Sequence, residues 1–372
     1  MNVLVCGGFG FAGHYLVYKL LKQGYKVILL GRNKKELSIK QRLEQLKVDN
    51  SLVNPDFHID KETFENIQLV SGDISKPNLG IDRKVYDKLV EKGIYQIFNM
   101  AAFLRYEESY RSQVFQVNVE GVKNLLELAT LTNAKYLHAS TAYIASQSHP
   151  DFEPIKEEYC HTKDFTNVYI ESKCCAELLI KEHSEQHDLE FTIFRFPMLI
   201  GDSQTGYTNS VFGFYEYIAA LTILEKKASK NETIRVKATA NGTLNLVPTD
   251  LVIDCMLEIL KCNQSNKTIF NLTDDNPISL MEIGELLGKV YNLNFVIDDD
   301  YENRKDLTET EKLFNRLTLK NKHFANREYV FDTQNTTNVL GHSVTKNWDR
   351  TIDYFTKMAN GFLTFSQREL TV

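Results

Sequence analysis

Through roughly residues 1–200, short continuously apolar runs alternate with longer amphipathic stretches. Val3–Cys6, Val27–Leu30, Gln68–Ser71, Gln96–Met100, Tyr136–Ala139 and Phe191–Phe194 are rich in β-branched and aromatic residues, as strands buried on both faces are. Between them, His14–Gln23, Val114–Leu131 and Val168–His187 carry apolar residues at helical spacing. Strand and helix alternating this way predict an α/β fold, a parallel sheet covered by helices on both faces.

One connection exceeds the two to six residues usual for such turns. After Arg32 the charged stretch Asn33–Asp49 predicts an exposed helix, followed by a polar loop to about Asn66. Ser146–Asn167 is a second irregular region, with two prolines and the acidic pair Glu157-Glu158. Beyond Pro197 the pattern loosens to a helix at Asn209–Lys227, a strand at Leu244–Val247, a helix at Asp250–Cys262 and a strand at Thr268–Leu272. From Pro277 a mainly helical tail is expected, with a disorder-prone polar section around Asp298–Glu311 and a last helix over Trp348–Phe365. The expected organisation is a main domain over 1–200 with a return at 241–276, and a smaller, mainly helical substrate-binding lobe from 201–240 and 277–372.

Composition narrows the function classes. Hydrophobic residues make up 43% and charged residues 25%, which excludes long disorder. A net charge of −6 provides no general attraction for nucleic acid or anionic membrane. No apolar run reaches the ~18 residues of a transmembrane segment, and no secretory signal opens the chain. The six cysteines show no Cys-x-x-Cys and no metal spacing. Reduced thiols, no metal and a cytoplasmic location are therefore expected. Neither helix face carries an unmistakable apolar seam, so oligomeric state is left open, a homodimer included.

Chemistry begins at Gly7-Gly8-Phe9-Gly10-Phe11-Ala12-Gly13, directly after the first strand and opening a helix. Gly7, Gly10 and Gly13 suit a sharp turn whose backbone approaches a pyrophosphate, which the helix N-terminus then attracts. In this context the motif predicts dinucleotide binding and a Rossmann-type doubly wound sheet. The second strand ends on Arg32 rather than an acidic residue, and a guanidinium suits the 2′-phosphate of NADP(H) by charge and geometry. Arg42, on the inserted helix, is a second candidate for that phosphate, and Asp73, in Gly72-Asp73-Ile74, for the adenine.

Tyr169 and Lys173 form a Tyr-x-x-x-Lys pair. The spacing alone means little, because it recurs at Tyr15/Lys19, Tyr18/Lys22, Tyr159/Lys163 and Tyr301/Lys305. Position singles out Tyr169: it opens the helix after the strand that ends in Ser140-Thr141, and ligands gather at strand C-termini in open sheets. Tyr169 and Lys173 share a helix face, and the ammonium is expected to lower the phenol's pKa. A hydroxyl at the strand end, Thr141 or its neighbour Ser140, completes the constellation by donating to a developing oxyanion. Asn118 is as suited to buried support of this site as to a direct role.

These residues, with Asn99-Met100-Ala101-Ala102 and Arg195-Phe196-Pro197, resemble the extended short-chain dehydrogenase/reductase superfamily. Within it the chain is most similar to the thioester reductase and fatty acyl-CoA reductase (male sterility type) branch. That resemblance rests on Gly72–Gly80, Val117–Leu126, Ser140-Thr141-Ala142-Tyr143, Ser172–Glu177, Gly201–Gly206 and Asn245–Asp250. It implies that Phe11, Ile74, Ala101, Asn118, Lys173 and Pro197 also border the cofactor. It further implies an NADPH-dependent reduction of a thioester-linked acyl group, held on coenzyme A or a carrier protein, to an aldehyde and then an alcohol. Two other readings stand beside it: a ketone or sugar-nucleotide reductase or epimerase with the same triad, and a non-catalytic NADP(H) sensor. Related dehydratases carry an acidic pair after the catalytic threonine, where this chain has Ala142-Tyr143.

Overall fold

The computed structural model describes residues 1–34, 37–150, 152–319 and 327–371. Seven parallel strands form the central sheet. In chain order they are β1 (Asn2–Cys6), β2 (Lys26–Gly31), β3 (Ile67–Ser71), β4 (Ile94–Asn99), β5 (Lys135–Thr141), then β7 (Phe191–Phe196) and β12 (Thr268–Asn271). Across the sheet they run β12-β7-β5-β4-β1-β2-β3. The chain reverses its direction of travel between β1 and β4, and the crevice there opens at the strands' C-terminal ends. This is the doubly wound Rossmann-type α/β fold expected.

Alternation inside each strand explains the continuous apolar runs. Val3 and Val5 pack under α1 (Phe11–Lys22), while Leu4 and Cys6 pack against the opposite layer. That layer is built by α3 (Arg83–Glu91), α5 (Gly121–Thr132) and α6 (Val168–His187). Because successive side chains point to opposite faces, a strand covered on both sides has no polar positions to show.

After β7 the chain leaves the sheet through β8 (Met198–Ile200), which pairs in parallel with β11 (Leu246–Pro248). Helix α8 (Thr249–Ile259) then packs against α1, and β12 extends the sheet beside β7. The remaining elements form a separate apolar cluster around Phe214, Leu221, Ile234, Leu287, Phe314 and Phe355.

Several elements differ from the sequence expectation. The inserted helix, α2, spans Ile39–Asp49, its start set by a capping box of Ser38 and Gln41; Lys35 and Glu36 lie outside the described residues. Helix α3, too polar to stand out, begins at an Asp82 cap. The helix expected over Val114–Leu131 is α4 (Arg111–Phe115), a π-turn over Gln116–Glu120, then α5. Instead of starting at Asn209, α7 (Phe214–Glu225) starts after Gly213, whose φ of +66° breaks the helix. The strand expected at Leu244–Val247 divides at Asn245, whose side-chain amide exchanges hydrogen bonds with the Asp274 backbone at 2.8 and 2.9 Å.

The tail is less helical than expected, since β9 (Thr233–Val236) and β14 (Asn294–Ile297) form a parallel pair. The polar section around Asp298–Glu311 is not disordered. Arg304 pairs with Asp298 at 2.8 Å, and Arg235 pairs with Asp306 at 2.8 Å and Glu311 at 2.6 Å, holding the start of α10 (Glu309–Leu317). The Arg235 pairs, across 71 and 76 residues, are invisible to local polarity. The C-terminal helix spans Ile352–Thr371. Among the described residues no helix is long and apolar enough to cross a membrane.

Candidate active site

The glycine turn is shaped by contacts that leave no room for a side chain. A Cβ on Gly7, at φ +80°, would lie 2.6 Å from the Ala101 nitrogen, and one on Gly13 would lie 2.1 Å from the Gly7 oxygen. Gly10 differs: its added Cβ would meet only the Gly7 oxygen, at 3.2 Å, so its other side is open. Gly10 is also the N-cap of α1 and provides no side-chain cap, which leaves that helix terminus free for an anion.

In front of the turn lies a trough of about 220 Å³ bordered by Gly7, Gly10, Arg32, Arg42, Asp73 and Ala101. The Arg42 guanidinium stacks 4.4 Å from the Phe9 ring centroid and donates to the Arg32 carbonyl at 2.8 Å. Burial, then the neighbouring Arg32 charge, lowers the Arg42 pKa from its usual value. Arg32 remains largely exposed, 3.5 Å from the Asp73 carboxylate. The Asp73 pKa is lowered: burial opposes the shift, and hydrogen bonds from Ser75 and the Arg32 charge outweigh it. Two guanidinium groups thus stand at this end of the trough, with Arg32 facing the Asp73 carboxylate.

Met100 and Ala102 border both this trough and a second cleft of about 270 Å³, so the two adjoin. The second cleft is walled by Phe11, Thr141, Tyr169, Lys173, Pro197 and Phe212. Asn167 caps α6 by accepting the Ile170 N–H at 3.0 Å, which places Tyr169 in the first turn and Lys173 in the second. Lys173 is 2% exposed, donates to the Ala139 carbonyl at 2.7 Å and lies 5.9 Å from the Tyr169 ring centroid. Burial lowers its pKa to about 8, with the Glu177 carboxylate pulling the other way. The Tyr169 pKa is raised by burial, opposite to the expected direction. The ring meets Tyr106 edge to face at 6.0 Å. A phenol that stays protonated suits an acid rather than a base.

Ser140 and Thr141 both line the cleft, but successive strand positions turn their side chains opposite ways. The Ser140 hydroxyl donates to Glu177 Oε1 at 2.5 Å, within a buried ion pair of Glu177 and Arg195. Thr141 Oγ1 instead accepts the Tyr143 N–H at 3.3 Å, leaving its own hydrogen free to donate. Phe11, Ala101, Ile74 and Pro197 border the trough or the cleft, as the resemblance implied. Gly13 and Asn118 border neither: Gly13 packs behind the Gly7 turn, and Asn118 sits in the π-turn. The Asn118 amide binds the Phe103 backbone at 2.8 Å and the Ser172 hydroxyl at 2.9 Å, tying the loop after β4 to α6. Sequence reasoning passed over Phe9, Tyr106 and Glu177; only Glu177, one turn after Lys173, left a spacing signal.

The male sterility protein family profile matches residues 5–256, more than half of the chain. The chain belongs to that family. Membership and the reductase relatives support an NAD(P)-dependent oxidoreductase, and the Gly7–Gly13 turn lies within the matched span. Carboxylic acid reductase of Mycobacterium tuberculosis is 30% identical over 223 residues, 56% of this chain and 19% of that protein. Fatty acyl-CoA reductase 1 of Gallus gallus is 29% identical over 289 residues, 69% of this chain and 53% of that protein. The chain thus spans about a fifth to a half of the length of these relatives. Among solved structures, the terminal R domain of the myxalamid PKS-NRPS pathway superposes with a TM-score of 0.80 at 19% identity, covering 98% of this chain and 91% of that one. That similarity is one of fold.

Proposed function

We propose that this protein is a cytoplasmic, NADPH-dependent reductase of an acyl group carried as a thioester on coenzyme A or a carrier protein. The observation that carries the reading is a trough bordered by Arg32 and Arg42 adjoining a cleft lined by the Thr141 hydroxyl, the Tyr169 phenol and the Lys173 ammonium. The relatives' names, carboxylic acid reductase and fatty acyl-CoA reductase, support an acyl substrate.

When bound, NADPH supplies the hydride. Arg32 and Arg42 hold its 2′-phosphate, and the α1 N-terminus with the Gly7–Gly10 backbone holds the pyrophosphate. Lys173 positions the nicotinamide ribose. Thr141 and Tyr169 donate to the carbonyl oxygen of the thioester, which becomes negative as the carbon is reduced, and Tyr169 delivers the proton. Collapse of the resulting hemithioacetal expels the thiol and leaves an aldehyde, which the same donors can present to a second molecule of NADPH for reduction to the alcohol. Alignment and electrostatics are the protein's share of this chemistry.

Purified protein should oxidise NADPH with acyl-CoA or acyl carrier thioesters and release free thiol. Tyr169→Phe should lower turnover by two or more orders of magnitude with the NADPH dissociation constant nearly unchanged. Thiol release without NADPH consumption, or none with any thioester, would refute the reading.

A further inference from the structure

All six cysteines are free thiols, and the fold brings two of them into contact. Cys174 lies in the second turn of α6, directly after Lys173, and is buried. Cys160 lies in the loop after Glu157-Glu158 and is partly exposed. The Cys174 thiol donates to the Cys160 carbonyl at 2.9 Å, and the two thiols also hydrogen-bond each other. Packing accounts for Cys174, which joins the core beside Tyr143, Ile155 and Ile170. It does not account for the state of Cys160. The Cys174 hydrogen bond lowers the Cys160 pKa to about 6 against the opposing effect of burial. The Thr162 N–H and the Arg195 guanidinium add to the lowering, and the Glu177 carboxylate works against it. Burial instead pushes Cys6 and Cys255 up to about 12. A thiolate, partial exposure and a second thiol in contact are what a two-cysteine oxidation site requires.

We propose that Cys160 and Cys174 form an oxidation site for hydrogen peroxide, with Cys160 the attacking thiol and Cys174 the resolving one. The Cys160 thiolate attacks one peroxide oxygen, the O–O bond breaks, and the departing hydroxide takes up a proton, leaving a sulfenic acid. The Cys174 sulfur then attacks the Cys160 sulfur. The S–S bond forms, the S–O bond breaks, and the second hydroxide leaves as water with the Cys174 proton. Two thiols thus lose two electrons and two protons, and the peroxide becomes two waters. Arg195 already holds the loop beside α6 through the Lys156 and Glu158 carbonyls, so the reduced protein is arranged for closure. The crosslink fastens that loop to the helix turn that carries Lys173. Neither cysteine borders the trough or the cleft, and the inference does not depend on the reductase reading.

The test uses the full chain, reduced, freed of reductant and treated with equimolar hydrogen peroxide at neutral pH. Peptide mapping without reduction should find residues 160 and 174 in one crosslinked pair, lighter by two hydrogens and restored by dithiothreitol. Cys262, partly exposed after α8, should remain a thiol and controls for exposure alone. The oxidation rate should follow the Cys160 thiolate and fall to half its plateau near pH 6, well below an ordinary thiol. Cys174→Ser keeps a hydroxyl that can donate to the Cys160 carbonyl but cannot close a disulfide, so Cys160 should stop at a sulfenic acid that dimedone traps. Cys160→Ser should slow the first oxidation roughly tenfold or more. Oxidation led by Cys262, or crosslinks between protein molecules, would overturn the proposal. So would a wild-type sulfenic acid at Cys160 that accumulates beside a reduced Cys174, or two thiols left intact by excess peroxide.

Discussion

Glu177 and Arg195 form a bidentate ion pair, Nη2 to Oε2 at 2.7 Å and Nε to Oε1 at 3.0 Å, with both side chains at most 1% exposed. Arg195 also donates to the Lys156 and Glu158 carbonyls, at 2.8 and 2.7 Å. The pair therefore locks α6, β7 and the loop 156–158 together directly behind Lys173 and Ser140. A buried pair of this kind is costly to break because each partner alone would be an uncompensated charge.

Glu177 also acts on Lys173. Burial lowers the Lys173 pKa to about 8, and Glu177 is the charge that opposes the shift. If the ammonium is the working form, activity is present below that pKa and declines as pH rises through it. Glu177→Gln removes the opposing charge, so the alkaline limb of kcat/KM should move to lower pH. A merely structural Glu177 would lower the amplitude and leave the limb in place.

The two arginines predict cofactor choice. Arg42→Ala removes the guanidinium stacked on Phe9, and Arg32→Ala removes the exposed partner of Asp73. A lost charge-assisted hydrogen bond is worth about 1.5–3 kcal/mol, so either variant should weaken NADPH binding roughly tenfold to a hundredfold. NADH binding should change little, which parallel titrations with the two cofactors measure.

Thr141 and Ser140 should separate cleanly. Removing one donor to a developing oxyanion costs about 10²–10³ in kcat, the expected effect of Thr141→Val with Tm nearly unchanged. Ser140→Ala strips a hydrogen bond from the buried Glu177 carboxylate, so it should lower Tm and leave most of kcat. Steady-state kinetics beside thermal unfolding checks both.

The inserted segment is pinned by buried carboxylates. Asn54 donates to Asp202 at 3.1 Å and to Asp250 at 2.8 Å. Burial, then the Asp202 charge, pushes the Asp250 pKa up to about 7. An acid whose folded pKa is raised keeps its full stability below the unfolded value near 4 and loses it as pH rises toward 7. Tm should therefore fall by a few degrees between pH 5 and 8, and Asp250→Asn should flatten that slope. A wild-type Tm flat over this range would disprove the assignment.

Periodicity alone determined the alternating sheet and the helix Val168–His187, because a strand covered on both faces and a helix with a capped start are local patterns. Glycine spacing beside the first strand marked the dinucleotide turn for the same reason. Tertiary structure decided what depends on pairing between distant residues. It brought Arg42 against Phe9 and the Arg32 carbonyl, and turned Ser140 toward Glu177 and Thr141 toward the cleft. It also ordered Asp298–Glu311 through Arg235, a segment whose polarity resembles disorder. A cavity in the small lobe belongs to this second class: its walls are spread between Phe214 and Phe314, and no window of sequence contains the space they enclose.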